Sequence, residues 1–185
     1  VAPEATGRPV IEWGVGKIVV DAFMQAMVFA LVAIALVLLI TLRSVINAAL
    51  VFAPLLLTAI FVMAIAVILD MPLNMANILV VPLIFGLGVN NGIHVVERFL
   101  HNKDFASLMS SSTPRAILLS SLTTLGTFAS LSLSPHQGTS SIGVLLSIAV
   151  LLLLGFTVFL LPVLLGIVHP DKGSGVASNS ANLAL

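Results

Sequence analysis

The polar residues that could do chemistry in this apolar chain are concentrated in residues 82–98, which read PLIFGLGVNNGIHVVER. Asn90 and His94 are four residues apart, so in a helix they share a face and lie about 6 Å apart along the axis. His94 is the only group within the apolar runs that titrates near neutral pH. This pattern predicts a proton or ion relay that involves Asn90, Asn91 and His94.

A second polar set lies in the apolar run 116–133, which is rich in hydroxyl groups. Ser120, Thr124 and Thr127 share a helical face, and two further hydroxyls lie beside it. One interpretation is that these hydroxyls bond the carbonyls of their own helix. The sharper interpretation is a polar seam between the third and fourth apolar runs that holds water or protons. The relay candidates are therefore Asn90, Asn91, His94, Ser120, Thr123 and Thr124, with Ser121 beside them.

Two other kinds of chemistry compete with a relay. His94, Glu97 and His101 share one helix face, as metal ligands would. A zinc site, however, takes three or four ligands that converge on the ion, and here a single helix supplies all of the candidates. Intramembrane proteolysis requires paired aspartates or a Ser/His pair, and no aspartate lies within an apolar run. A lone histidine with no carboxylate at its depth is weak evidence for any enzyme. We therefore expect no enzymatic activity, no metal and no cofactor.

The composition excludes a soluble globular domain. Hydrophobic residues make up 59% of the chain and charged residues only 8%, against roughly 25% charged in a typical soluble domain. The formal net charge is zero, so there is no basic field for nucleic acid. The chain has no cysteine, which removes disulfides and cysteine metal sites.

Five apolar runs are long enough to cross roughly 30 Å of hydrocarbon. They cover residues 22–42, 48–69, 75–96, 116–133 and 141–168. Backbone groups in lipid must be satisfied internally, so the runs predict an all-α integral membrane domain of five transmembrane helices. Residues 1–21 are assigned to the end of an extracytoplasmic domain and a short interfacial segment, helical over 10–21 or alternatively an extended linker. Residues 169–185 predict a disordered tail.

Basic residues predict the orientation of these spans. Arg43, Arg98, Lys103, Arg115 and Lys172 all fall on one side of a five-span arrangement, and Arg8 and Lys17 are exceptions on the other side. The positive-inside rule places that side, and the C-terminus, in the cytoplasm. The first residue is Val rather than an initiator Met, and we expect a longer protein upstream.

Glycines and a proline predict the packing of the third span. Gly88 and Gly92 are four residues apart, with Gly86 nearby, and small residues at this spacing allow another helix to approach closely. Pro82 lacks a backbone N–H and is expected to kink the helix.

The chain resembles the C-terminal membrane half of the resistance-nodulation-division (RND) superfamily, in its lipid-exporting MMPL-type branch and most closely the hopanoid transporters. The stretches that carry the resemblance are LNMAN at 73–77, PLIFGLGVNNGIH at 82–94, SSLTT at 120–124 and SPHQG at 134–138. The resemblance implies a bacterial inner-membrane, multi-pass protein with two similar halves, in which proton flow drives lipid export. It implies membrane lipids and a missing N-terminal half as partners, with a possible homo-oligomer and no nucleic acid.

In that family an aspartate of the third-span motif carries the proton, and here Asn90 takes its position. The resemblance therefore leaves three possibilities: the other half carries the proton, His94 contributes, or this copy is degenerate. Two functional alternatives remain open beside lipid export. One is a protein-export accessory subunit of the same superfamily, and the other is a non-transporting scaffold similar to sterol-sensing domains.

Overall fold

The computed structural model describes residues 8–71, 75–102 and 112–169. These residues form seven α-helices and one π-helical segment, and no strand occurs among them. The α-helices are α1 Arg8–Leu42, α2 Val45–Ile68, α3 Met75–Ile78, α4 Val80–Asn102, α5 Ser112–Ser132, α6 Gln137–Gly155 and α7 Leu161–Val168, with the π-helical segment Phe156–Leu160 between the last two. The predicted all-α fold is confirmed. The predicted tail falls almost wholly outside the described residues.

Four stretches are long and apolar enough to cross a membrane by length and composition. They are Val15–Leu42, Val45–Ile68, Val80–His101 and Gln137–Val168. The predicted fourth span corresponds to α5, whose 21 residues extend about 31 Å, close to the thickness of the hydrocarbon. Its serines and threonines make it less apolar than the other four. The chain is a multi-pass membrane protein.

One continuous helix covers both the predicted interfacial helix at 10–21 and the predicted first span at 22–42. α1 has 35 residues, and its apolar part begins at Val15. Gly14 and Gly16 each lower helix propensity by about 1 kcal/mol, but they do not end the helix. Residues 10–21 are therefore helical, as predicted, and the extended linker is excluded.

Two prolines interrupt the helices that surround the candidate site. Pro82 has no N–H to donate to the Ile78 carbonyl, and a turn at Leu79 separates α3 from α4, so the helix is interrupted next to the predicted kink. Pro162 follows the π-helical segment, in which the N–H of Leu161 bonds the carbonyl of Phe156. The wider turn accommodates a residue that cannot donate its own bond.

The loops divide into two ends of different charge. At one end, here called the basic end, the described connections and helix ends carry Arg43, Arg98 and Arg115. α2 begins there at Val45, three residues before the predicted start, because the Ser44 hydroxyl accepts the Asn47 N–H at 3.4 Å and caps the helix. The turns near Asp70 and Ser134 lie at the opposite end, and their sequences contain no Lys or Arg.

α4 lies at the centre of the domain and contacts every other span. By contrast, α5 packs chiefly against α6 and touches α4 much less. Gly143 of α6 allows the close pairing, because a Cβ there would lie 2.4 Å from the Ser132 nitrogen and 2.9 Å from the Phe128 carbonyl oxygen of α5. The loose contact between α4 and α5 leaves room for the candidate site.

Candidate functional site: a polar seam between α4 and α5

Three adjoining cavities follow the boundary between α4 and α5, and together they are called the polar seam. The innermost has a volume of about 150 Å³, the middle one about 200 Å³ and the outermost about 510 Å³. The innermost is lined by Gly86, Leu87, Asn90, Asn91, Ser120, Ser121, Thr124, Val150 and Leu153. The middle one is lined by Asn90, Asn91, His94, Ala116, Ile117 and Ser120. The outermost is lined by His94, Glu97, Arg98, His101, Ser112, Thr113, Ala116 and Ile117.

Shared lining residues connect the three cavities. Asn90 and Ser120 line both the innermost and the middle cavity, and His94 lines both the middle and the outermost one. The seam therefore runs from the middle of α4 to the basic end. From Asn90 to His101 it extends about 16 Å along the helix axis.

The stripe of α4 that faces the seam is exposed, whereas its opposite face is buried. Asn90, His94 and Glu97 are exposed, and Asn91 beside them is half-buried. The opposite stripe contains Val89, Val95, Val96 and Phe99, all buried, with Val96 at 0% exposure. The polar groups of the third span are thus separated from its core contacts by rotation about the helix axis.

Three threonine hydroxyls of α5 bond carbonyls of their own helix. Thr124 donates to the Ser120 carbonyl at 2.9 Å, Thr123 to the Leu119 carbonyl at 3.0 Å, and Thr127 to the Thr123 carbonyl at 3.1 Å. A hydroxyl that has donated its proton still offers lone pairs as acceptors. Thr124 can therefore accept a hydrogen bond from water in the seam while it keeps its bond to the backbone.

Two of the three α5 relay candidates, Ser120 and Thr124, line the innermost cavity. Thr123, a predicted relay candidate, lines none of the three cavities, and neither does Thr127. Ser121, which the sequence predicts beside the polar face, lines the innermost cavity and is only 6% exposed. The spacing Ile117, Ser121, Thr124 follows the i, i+4, i+7 pattern of one helix face and could have indicated this side.

The three glycines of α4 also separate into two groups. A Cβ at Gly88 would lie 2.8 Å from Leu153 Cδ1, and a Cβ at Gly92 would lie 2.5 Å from Val51 Cγ1, so both lie at helix contacts. A Cβ at Gly86 would meet no atom within 4 Å. Gly86 lines the innermost cavity rather than a contact between the described helices, and its packing role stays a prediction.

The seam presents neutral hydrogen-bonding groups in its interior and titratable side chains toward the basic end. Amides and hydroxyls line the innermost cavity, His94 follows in the middle one, and Glu97 and His101 line the outermost. Among the described residues, no group of three or more His, Asp or Glu side chains could hold a metal ion. Such a sequence of groups can order water and pass a proton along it.

Sequence comparison identifies relatives of this chain among known proteins. No family model matches the chain. It is 41% identical over 164 residues to the hopanoid transporter HpnN of Rhodopseudomonas palustris strain TIE-1, and 36% identical over 164 residues to the hopanoid transporter HpnN of Burkholderia multivorans strain ATCC 17616 / 249. Each alignment covers 89% of this chain but only 19% and 18% of the two relatives. The chain thus spans about a fifth of the length of the relatives it matches.

Proposed function

We propose, from the premise that this chain belongs to the RND superfamily together with the hopanoid transporters HpnN, that it is the membrane part of a proton-driven lipid exporter. The cargo is a hopanoid-like lipid, moved across or from the bacterial inner membrane. The basic end faces the cytoplasm, as the positive-inside rule requires. The relatives are much longer, so the remaining parts of the machine lie outside this chain.

The observation that carries the proposal is the position of His94 along the seam. Among the described residues that line the innermost and middle cavities, His94 is the only titratable one. It also lines the outermost cavity, which opens at the basic end. An imidazole can accept a proton on one nitrogen and release another from the second. His94 therefore connects the neutral interior of the seam to the cytoplasmic side.

Asn90 requires a modified form of the relay that the family resemblance implies. An amide does not titrate, so Asn90 cannot replace the aspartate of that motif as a proton carrier. Asn90 and Asn91 can still orient water by donating and accepting hydrogen bonds. We assign them, with Ser120, Ser121 and Thr124, to holding water, and we assign proton exchange in this half to His94.

The test uses the full-length protein in proteoliposomes with an imposed proton gradient. Proton entry is followed with a pH-sensitive dye inside the vesicles, and hopanoid transfer is measured in the same preparation. His94→Ala is expected to slow both by roughly tenfold or more, as for loss of a general acid–base group. Asn90→Asp is expected to be tolerated. Ser130→Ala is the matched control, because its hydroxyl donates to the Thr127 carbonyl at 2.7 Å and lines none of the three cavities.

Wild-type transport by the His94→Ala protein would remove His94 from the relay. A non-transporting scaffold is the second candidate, and the specific observation that favours it is Asn90 at the position of the family's acid. That candidate predicts hopanoid binding without proton entry in the wild-type protein.

A further inference from the structure

The π-helical segment Phe156–Leu160 contains a buried hydroxyl without an acceptor. Thr157 is 0% exposed, and its Oγ1 atom has no hydrogen-bond partner among the described residues. By contrast, the buried Thr58 hydroxyl donates at 2.7 Å to the Pro54 carbonyl, four residues earlier in its helix. Buried polar atoms in folded proteins are almost always hydrogen-bonded. The unsatisfied hydroxyl is therefore a cost that the present conformation of the segment carries.

The backbone carbonyl of Thr157 also lacks its usual helical donor. In an α-helix this carbonyl would accept the N–H of Leu161, but that N–H donates to the Phe156 carbonyl instead. In a π-helix it would accept from residue 162, which is Pro and has no N–H. In the π register, therefore, neither oxygen of Thr157 has the partner that a regular helix supplies.

Thr157 lies in the interior of the membrane domain, away from the ends of the helices. It precedes the end of α7 at Val168 by about 16 Å along the axis, and both α2 and α4 pack against the π-helical segment. Thr157 lines none of the three cavities of the polar seam. With no cavity of the seam beside it to hold a water molecule, a change in the backbone is the simplest way to satisfy both oxygens.

An α-helical register satisfies both oxygens. The Leu161 N–H then bonds the Thr157 carbonyl, and the Thr157 hydroxyl can bond the Leu153 carbonyl four residues earlier. In the π register the Phe156 N–H bonds the carbonyls of Leu152 and Leu153 instead. A π turn holds about one residue more than an α turn, so the extra residue has to move along the helix when the register changes.

Packing lets the extra residue move toward α6 and opposes a move toward α7. On the α7 side Leu161 and Leu165 are completely buried, and turning them would remove them from the core. On the α6 side Gly155 has no side chain, and a Cβ there would meet nothing within 4 Å. The ring centroids of Phe156 and Phe61 lie 5.7 Å apart. This ring contact breaks when Phe156 turns by about 100° with the change of register.

We infer that Phe156–Leu160 is a conformational switch between the π register of this structure and an α register in which the extra residue has moved into the end of α6. The α register gains two hydrogen bonds and loses one ring contact, which keeps the two registers close in free energy. The shift reaches Leu153, which packs at Gly88 and lines the innermost cavity. Its effect on transport rests on the proposed function, whereas the change of register does not.

The first measurement detects the two registers in the full-length protein in nanodiscs. A para-fluorophenylalanine at position 156 is expected to give two fluorine NMR signals, and Phe61→Leu identifies the π signal because it shifts that signal alone. Thr157→Val is expected to lower the share of the other signal by roughly tenfold, because the α register loses a hydrogen bond and the π register loses its unsatisfied group. Thr157→Ser is the matched control, since it retains the hydroxyl and is expected to retain both signals.

The second measurement compares the thermal unfolding of two buried threonine variants of the full-length protein. Thr157→Val is expected to raise the unfolding midpoint, because it removes an unsatisfied hydroxyl, and Thr58→Val to lower it, because that hydroxyl is bonded at 2.7 Å. A lower midpoint for Thr157→Val would show that its hydroxyl already has an acceptor, such as a trapped water, and would overturn the proposal. A single signal at position 156, or equal signal shares in Thr157→Val and Thr157→Ser, would overturn it as well. Neither measurement involves transport, so a failure here is distinct from a failure of the proposed function.

Discussion

The two faces of α4 differ in packing although their residues alternate within the same two turns. On one face Gly88 and Gly92 approach Leu153 and Val51 so closely that a Cβ would lie within 2.8 Å of a neighbouring side chain. On the other face Gly86, Asn90 and His94 border cavities. The packed face holds the domain together, whereas the polar face is left for water and protons.

α5 shows the same division from the other side of the seam. It is tightly paired with α6 at Gly143, and its contact with α4 is loose. A helix that carries many hydroxyls gains little from lipid or from apolar partners, so close backbone packing has to hold it in place. Close packing against α6 and an open side toward α4 are therefore complementary features. The following predictions test this comparison, beginning with the largest expected effect on stability.

Gly143→Ala is expected to cause the largest loss of stability. Its Cβ would lie 2.4 Å from a backbone nitrogen and 2.7 Å from a backbone carbon of α5, so the two helices would have to separate. A loss of about 3 kcal/mol in the free energy of unfolding is expected. Gly126→Ala is the control, because a Cβ there meets nothing within 4 Å. Equal stability of the two variants in a detergent unfolding titration would contradict the close pairing of α5 and α6.

Gly92→Ala and Gly86→Ala compare the two faces of α4 directly. At Gly92 the added Cβ meets the buried, β-branched Val51 at 2.5 Å, and a loss of about 1–3 kcal/mol is expected. At Gly86 there is open space, and Ala raises helix propensity by about 1 kcal/mol, so stability is expected to hold or rise. Thermal unfolding midpoints of both variants measure the difference, and the reverse order would disprove the assignment of the faces.

Ser141→Ala tests a polar contact at the opposite end. The Ser141 hydroxyl donates to the buried Asn77 Oδ1 at 2.9 Å and ties α6 to α3. Hydrogen bonds between membrane helices contribute about 0.6 kcal/mol on average, and a loss of that order is expected. Ser147→Ala is the control, because that hydroxyl donates at 2.7 Å to the Gly143 carbonyl of its own helix. If Ser147→Ala is the more damaging substitution, the contact between α3 and α6 has no special role.

Ser120→Ala is expected to have the smallest effect on stability and a clear effect on transport. Ser120 is exposed and borders two cavities of the seam, so the free energy of unfolding is expected to change by less than about 0.5 kcal/mol. Proton entry in proteoliposomes is expected to fall, because one of the groups that order water is lost. An unchanged rate, equal to that of Ser130→Ala, would mean that the seam does not conduct through this point.

Much of the fold could be predicted from the sequence because each signal was local. The length of an apolar run predicts a span from that run alone. The missing N–H of Pro82 likewise affects only the helical turn that contains it. The continuity of α1 could not be predicted, since the two glycines and Trp13 equally suit an interfacial break. The start of α2 depended on Ser44, whose role as a cap is seen in its bond to Asn47.

The candidate site was predicted less completely because it depends on the rotation of each helix about its axis. Ser121 and Thr123 differ by about 200° in direction around the helix axis, so the rotation of the helix decides which of the two faces the seam. The sequence alone does not show which neighbouring helix each face contacts, so it does not fix the rotation of α5 about its axis. Thr123 is therefore among the predicted relay candidates, although of these two hydroxyls only Ser121 lines the seam.

By itself, the sequence determined that this protein is helical, crosses a membrane several times, and carries its polar groups on the third and fourth spans. These properties follow from composition and spacing, because lipid leaves the backbone few alternatives. Only the tertiary structure decided that Gly86 borders a cavity while Gly88 and Gly92 support packing, and that His94 and Arg98 share one cavity. The physical reason is that packing density is a property of neighbours, and the neighbours of α4 come from distant parts of the chain.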